Sequence, residues 1–261
     1  MLIFFAFYVT MFQNEWGDKM EVLSIGNSFS QDAHRYINGI AKADGYNLNT
    51  LNLYIGGCTL STHYRNMLTG KQDYLLDFNG VNTNIRFSLL DGLANRSYEV
   101  ITVQQASHES AFYDKYQPCL NELVAYVRKI QPQAKIAVHQ TWSYEEGFPR
   151  LATLGFNNQK EMFDKVKESY DKAAKDINAD IIIPSGQALQ NLLNSGIEKV
   201  HRDGFHANLG IGRYTIALTW YLMLTGNDIE NNTFAYFDED ISPEEIKIAK
   251  QAAYDAVKLY K

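Results

Sequence analysis

Cysteine, basic charge and long hydrophobic runs are all scarce in this chain. Its 261 residues include only two cysteines, Cys58 and Cys119, which excludes a disulfide framework and a cysteine-rich metal site. Lys and Arg total 24 against 30 Asp and Glu, and no long run of Lys or Arg occurs. The formal net charge of -6 argues against nucleic acid and anionic membranes as partners.

Metal-ligand spacings, internal repeats and low-complexity linkers are also absent from the sequence. No H-x-x-x-H pair and no carboxylate cluster occurs, so we expect neither a metal nor another cofactor. Hydrophobic residues make up 46% of the chain and charged residues 21%, enough to bury a sizeable core. A neutral or weakly charged small molecule is the substrate that this composition accommodates best.

The first twelve residues, MLIFFAFYVTMF, form an apolar run that is too short to span a bilayer. The run resembles a signal-peptide core but has no positive n-region before it and no A-x-A-like site after it. A strand-like segment follows Met20 directly. We therefore expect residues 1–19 to be an extension or a mis-assigned start, and residues 20–261 to form a single domain. A cytoplasmic protein follows, or a secreted or periplasmic one if residues 1–19 are a signal peptide.

Strand-like and helix-like segments alternate along the chain, which is typical of βαβ units around a parallel sheet. Helical spacing of apolar residues covers 33–43, 120–130 and 209–224, and Ser242, Pro243 and Glu245 mark the start of a last helix. Residues 73–89 alternate around Asn79 and Gly80, a pattern compatible with a β-hairpin insertion. The prediction is a three-layer α/β/α domain with five parallel strands at 21–26, 49–55, 98–105, 134–141 and 180–184.

Polar residues cluster where these strands end, which is where open parallel sheets bind ligands. Ser28 follows the first strand and precedes a helix whose N-terminus can stabilise an oxyanion, although a serine there can simply cap the helix. Asp203 and His206 lie three residues apart, late in the chain. That spacing lets the carboxylate orient an imidazole towards a nucleophile, although such pairs also arise by chance. Ser28, His206 and Asp203 are therefore a candidate catalytic triad.

These motifs resemble the SGNH, or GDSL-like, hydrolase superfamily over most of residues 20–226. The resemblance places the nucleophile in Gly26-Asn27-Ser28, an oxyanion amide at Gly57 of the IGGC segment, and the Asp-His pair in DGFHANLGIGRY. It implies a flavodoxin-like fold with a five-stranded parallel sheet. It also implies a serine esterase acting through Ser28, His206 and Asp203, with no cofactor.

Two features depart from the family pattern. Asn27 stands where the family usually has Asp, and Ala106 to Glu109 replace the usual G-x-N-D block with its oxyanion-donating Asn. Gln105 or Gln104 can supply an amide instead, as in carbohydrate acetylesterase branches with a Q-G-E motif. We predict Gln105 as the third donor, beside the Ser28 and Gly57 amides; a His108 donor, or backbone amides alone, are the alternatives.

His108, His139 and Trp142 are candidates for the wall of the substrate pocket, although core packing explains His139 and Trp142 equally well. Cys58 can be read as a nucleophile, but a small residue beside Gly57 is the simpler interpretation. The expected activity is hydrolysis of a small acyl ester such as an acetylated sugar. An acyltransferase or thioesterase with the same triad remains open, as does a non-catalytic carbohydrate-binding protein on a hydrolase fold. The sequence carries no signal for the oligomeric state.

Overall fold

A seven-stranded sheet lies at the centre of the computed structural model, which describes residues 19–261. Its strands are β1 (Lys19–Gly26), β2 (Asn47–Tyr54), β3 (Tyr74–Phe78), β4 (Val81–Phe87), β5 (Val100–Val103), β6 (Lys135–His139) and β7 (Ile181–Ile183). They lie in the order β4-β3-β2-β1-β5-β6-β7. Five of them are parallel and lie in the flavodoxin-like order β2-β1-β5-β6-β7, which confirms the predicted fold class.

The remaining two strands, β3 and β4, form the antiparallel hairpin that the alternation in 73–89 indicated. Its turn consists of Asn79 and Gly80, whose φ angles are 48° and 74°. Positive φ at both positions is the type I′ geometry that asparagine followed by glycine favours. β3 pairs with β2, so the hairpin widens the sheet at the edge opposite β7.

Helices cover both faces of the sheet and make the three layers. They are α1 (Ser28–Ala43), α2 (Leu60–Thr69), α3 (Leu89–Ala94), α4 (Cys119–Ile130), α5 (Pro149–Thr153), α6 (Gln159–Asp176), α7 (Ser185–Asn194), α8 (Ile211–Thr225) and α9 (Pro243–Lys258). The predicted capping box of α9 is present, with Ser242 and Glu245 each bonding to the other's backbone amide. α8 is buried on nearly every side, as its apolar sequence predicts.

Two hydrophobic cores lie on opposite faces of the sheet. Strand residues alternate between them, because successive side chains of a strand point to opposite faces. Val22 of β1 packs with α1, α7, α8 and α9, whereas Leu23 packs on the other face with α2, α3, α4 and α6. This sandwich places the carboxyl ends of β1, β2 and β5 at one edge of the sheet.

Some predicted boundaries differ from the structure. The first helix begins at Ser28 rather than at residue 33, and β5 ends at Val103 rather than at residue 105. Residues 1–18 of the predicted extension lie outside the described residues, while Lys19 already belongs to β1. Within residues 19–261, no helix combines the length and apolar character needed to cross a membrane.

Candidate active site

Ser28 lies at the turn between β1 and α1, at the carboxyl edge of the parallel sheet. β1 ends at Gly26, where a Cβ would lie 2.3 Å from the Ser30 Oγ, so the turn requires glycine. Asn27 is the N-cap of α1, and its side chain accepts a hydrogen bond from the Phe29 amide. Since Asn27 caps the helix, the Ser28 hydroxyl is left for another partner.

That partner is His206, the middle member of a chain of three polar side chains that runs from Ser28 to Asp203. The Ser28 Oγ lies 2.8 Å from the His206 Nε2, and the His206 Nδ1 lies 2.7 Å from the Asp203 Oδ2. The second oxygen of Asp203 accepts the backbone amides of His206 at 2.9 Å and Phe205 at 3.3 Å. Partial burial raises the pKa of Asp203, but these hydrogen bonds outweigh it and hold the pKa below its ordinary value. Asp203 is therefore ionised at neutral pH and orients the imidazole.

Asn27 holds the turn that carries Ser28 against the segments that follow β5 and β2. Its Oδ1 accepts a hydrogen bond from the Gln104 Nε2 at 2.7 Å, and its Nδ2 donates to the Cys58 carbonyl at 3.1 Å. The Gln104 amide is oriented in turn by His139, whose Nδ1 lies 2.8 Å from the Gln104 Oε1. Burial lowers the pKa of His139 to about 3, so this ring is neutral and donates from Nδ1.

The loop that carries His206 is anchored to α1 by a buried ion pair. Asp32 lies one helical turn after Ser28. Its two carboxylate oxygens accept hydrogen bonds from the Arg202 Nη1 at 2.9 and 3.1 Å, and one of them also accepts a hydrogen bond from the Ala207 amide at 3.1 Å. Its side chain is 1% exposed. One helix thus supports both Ser28 and the segment that carries its histidine. Sequence reasoning did not identify Asp32, although its i+4 spacing from Ser28 places both on one face of α1.

A pocket of about 400 Å³ opens over Ser28. Its lining residues are Asn27, Ser28, Phe29, Gln31, Tyr54, Gly56, Gly57, Ser107, His108, Arg150, Arg202, Phe205 and His206. Gly57 has a φ of 62°, so the turn after β2 takes a conformation that favours glycine. The structure therefore brings Gly57 and His108 to the same pocket as Ser28 and His206.

The structure places Gln105 elsewhere, which corrects its assignment as an oxyanion donor. The side chain is fully buried and does not line the pocket. Its Oε1 accepts the amides of Leu60 and Ala106 at 2.9 and 2.8 Å, and its Nε2 donates to the Lys115 carbonyl at 3.0 Å. Because its whole amide is bonded to backbone, Gln105 joins loops beneath the site instead of facing a substrate.

His139 and Trp142 also lie beneath the pocket rather than in its wall. His139 is fully buried between Gln104 and Ser185. Trp142 stacks on Phe29 with ring centroids 4.2 Å apart, and its Nε1 donates to the Phe205 carbonyl at 2.7 Å. Both residues support the site from the core, which is the packing role that the sequence left as an alternative.

Cys58 is adjacent to Gly57 but does not line the pocket. Burial raises the pKa of its thiol to about 12, and its sulfur lies 3.5 Å from the His63 Nδ1. The thiol is protonated at neutral pH and is not an activated nucleophile. Among the described residues, no three His, Cys, Asp or Glu side chains are grouped in a way that could hold a metal ion.

Comparison with protein families gives one match over nearly the whole described chain. Residues 21–256 match the model of a family described as a domain of unknown function, DUF4886. A crystal structure of a DUF4886 family protein from Bacteroides uniformis is 35% identical to this chain, covers 92% of it and 95% of that protein, and has a TM-score of 0.86. No curated protein matches the sequence.

More distant solved structures share the fold at low identity. A candidate GDSL-like lipase from Parabacteroides merdae has a TM-score of 0.54 at 14% identity, over 80% of this chain and 97% of that one. A carbohydrate esterase of family 3 from Talaromyces cellulolyticus has a TM-score of 0.53 at 10% identity, over 79% and 97%. The α/β fold of this chain is thus the fold of GDSL-like esterases and lipases.

Proposed function

The chain belongs to the DUF4886 family, and we propose that it is a serine ester hydrolase with Ser28 as its nucleophile. The observation that carries the proposal is the continuous contact from the Ser28 Oγ through His206 to Asp203, at 2.8 and 2.7 Å. The pocket over Ser28 gives a substrate access to this hydroxyl. The shared fold of GDSL-like esterases adds support from architecture alone.

The arrangement accounts for each step of acyl transfer to water. His206 accepts the proton of Ser28 while the Ser28 Oγ attacks the ester carbonyl, and the imidazolium then protonates the leaving alcohol. Water then attacks the acyl-enzyme while His206 accepts its proton. His206 returns that proton to the Ser28 Oγ as the acid leaves. Asp203 keeps the proton of His206 on Nδ1 and stabilises the positive charge that forms on the ring.

The negative charge on the carbonyl oxygen requires donors that are in place before the reaction. The amide of Ser28 lies in the first turn of α1, where the helix leaves its N–H groups without partners within the helix. The amide of Gly57 is the second donor in this proposal. Ser107 and His108 line the same pocket, and we propose that one of them is the third donor.

A small acyl ester is the substrate class that fits this site. The pocket of about 400 Å³ lies near the lower limit for small-molecule sites in general. One structure with the same fold is described as a carbohydrate esterase, which makes acetylated sugars suitable substrates for a screen. We expect para-nitrophenyl acetate to be hydrolysed faster than the octanoate ester.

The deciding experiment measures turnover and covalent labelling in wild type and in Ser28→Ala. We expect wild type to hydrolyse para-nitrophenyl acetate and to react with a fluorophosphonate probe at Ser28, as mass spectrometry of peptides would show. Ser28→Ala should lose both, because no hydroxyl remains beside His206. The matched control is Ser195→Ala, which removes an exposed hydroxyl that bonds only to the Asn191 carbonyl.

Ser195→Ala should keep both wild-type turnover and labelling at Ser28. Equal turnover by wild type and Ser28→Ala, with circular dichroism showing both folded, would remove Ser28 as the nucleophile. An unlabelled and inactive wild type across a series of acetyl esters and acetylated sugars would favour the non-catalytic binding protein.

A further inference from the structure

Arg150 is the one cationic side chain in the pocket lining that has no carboxylate partner in the described part of the chain. Arg202, the other arginine there, is paired with Asp32 and also donates to the Ala207 carbonyl. No Asp or Glu among residues 19–261 lines the pocket. The mouth of the pocket therefore offers an uncompensated positive charge, although the chain as a whole carries a net charge of -6.

The position of this guanidinium is constrained by packing. Its Cζ lies 5.0 Å from the ring centroid of Phe205 and 5.8 Å from that of Phe148. These two rings stack on each other at 6.0 Å. The contact requires glycine at Gly204, where φ is 88° and a Cβ would lie 2.3 Å from the Phe148 ring. Stacking on aromatic faces holds a guanidinium while leaving its N–H groups free.

The packing also places Arg150 on one side of the reaction centre. The ring of Phe205, beneath the guanidinium, lies 4.0 Å from the ring of His206. His206 gives its proton to the leaving alcohol, so the alcohol part of an ester must lie beside this imidazole. A group that contacts Arg150 therefore belongs to the alcohol part of the substrate rather than to its acyl part.

We propose that Arg150 selects esters whose alcohol part carries a carboxylate, such as acylated hydroxy acids and acylated sugar acids. This proposal rests on the serine esterase function proposed above. A carboxylate can accept two parallel hydrogen bonds from a guanidinium, which gives both affinity and orientation. The composition of the chain favours neutral or weakly charged substrates, but the local charge at the pocket sets a different preference.

The test compares two acetyl esters that differ in one charge, meta-acetoxybenzoate and meta-acetoxybenzamide. The measured quantity is the ratio of their kcat/KM values, carboxylate ester over neutral ester, with the rates determined from the acetate released. Arg150→Gln should lower this ratio roughly tenfold, the worth of one hydrogen bond to a charged group, with little change for the neutral ester. Arg150→Lys should retain part of the preference, because lysine keeps the positive charge but lacks the paired N–H donors of a guanidinium.

The control variant is Arg86→Gln, which removes an exposed arginine on β4 that does not line the pocket. It should leave the ratio unchanged. Added salt should lower the ratio of wild type and leave that of Arg150→Gln unaffected, because salt screens an exposed ion pair. A ratio that is the same in wild type and Arg150→Gln, or an equal loss on both esters, would overturn the proposal.

A binding measurement separates this proposal from the esterase function. If wild type hydrolyses neither ester faster than Ser28→Ala, the esterase proposal fails, and calorimetry then compares meta-hydroxybenzoate with meta-hydroxybenzamide. Tighter binding of the carboxylate that is lost in Arg150→Gln would retain the anion site without the esterase. Equal binding of the two compounds, in wild type and in Arg150→Gln, would overturn the anion site as well.

Discussion

Replacement of Asp32 by Asn tests whether the ion pair beneath the site positions the histidine loop. The two Asp32 oxygens receive four N–H···O contacts, two from Arg202 and one each from Arg213 and the Ala207 amide. Each oxygen accepts two donors. In Asp32→Asn, the side-chain NH₂ group would replace one of these oxygens. Whichever oxygen it replaced, this donor group would face two N–H donors and could accept neither hydrogen bond.

The magnitude follows from the burial of the three charged groups. Removal of one partner from a buried ion pair costs about 3–5 kcal/mol. The Arg202 and Arg213 side chains are 25% and 13% exposed, so solvent replaces part of the lost charge and the lower end applies. About 3 kcal/mol corresponds to a fall in Tm of about 6–12 °C for a chain of this size. The turnover of an acetyl ester should also decrease, even at temperatures well below the Tm where the variant is folded, because Arg202 and Ala207 flank the segment that carries His206.

The assay combines thermal unfolding by calorimetry with kcat on para-nitrophenyl acetate at low temperature. Asp238→Asn is the matched control, because Asp238 also pairs with Arg213 but is 25% exposed and has no bond to residues 202–207. It should lower Tm less and leave kcat unchanged. A Tm of Asp32→Asn within about a degree of wild type would refute the energetic argument. A lowered Tm with unchanged kcat would refute the positioning role.

Two further predictions concern the remaining carboxylates. Asp203→Asn should lower kcat on para-nitrophenyl acetate by as much as about 10⁴-fold with little change in Tm, because Asn cannot stabilise the His206 imidazolium; a loss below about threefold would indicate a Ser-His dyad. A hydrogen bond from Arg35 holds the pKa of Asp238 at about 2, against an ordinary 3.8. The stability that Asp238 contributes is therefore complete above about pH 4 and lost as the pH falls towards 2, so urea titrations of wild type and Asp238→Asn should converge there.

The parts of the fold that sequence reasoning predicted are those with local causes. Apolar runs ending in glycine or polar residues indicated all five parallel strands, and Asn79 with Gly80 indicated the hairpin turn that widens the sheet. Ser28 was identified because it follows a strand at the edge where parallel sheets bind ligands, and Asp203 and His206 were identified by their spacing and their position late in the chain. The contact between the Ser28 Oγ and the His206 Nε2 at 2.8 Å spans 178 residues, and only the three-dimensional structure reveals it.

The residues that were misassigned or missed depend on which way a side chain points. Gln104 and Gln105 are neighbours in sequence, and the pleat directs successive side chains to opposite sides. Both residues lie just beyond the end of β5 at Val103. Gln104 reaches Asn27, whereas Gln105 points the other way and accepts a hydrogen bond from the backbone of α2. Arg150 was missed for a related reason, since its place over Phe205 depends on how one loop packs on another.

The asparagine in Gly26-Asn27-Ser28 follows from this same arrangement of strands. Its side chain must accept hydrogen bonds from the Phe29 amide and from Gln104, and it must also donate one to the Cys58 carbonyl. An aspartate in the usual family pattern can accept the first two but has no N–H for the third, and its charge would face a carbonyl oxygen. Asn27 and Gln104 thus form one hydrogen-bonded unit, which an aspartate at position 27 would disrupt at the Cys58 carbonyl.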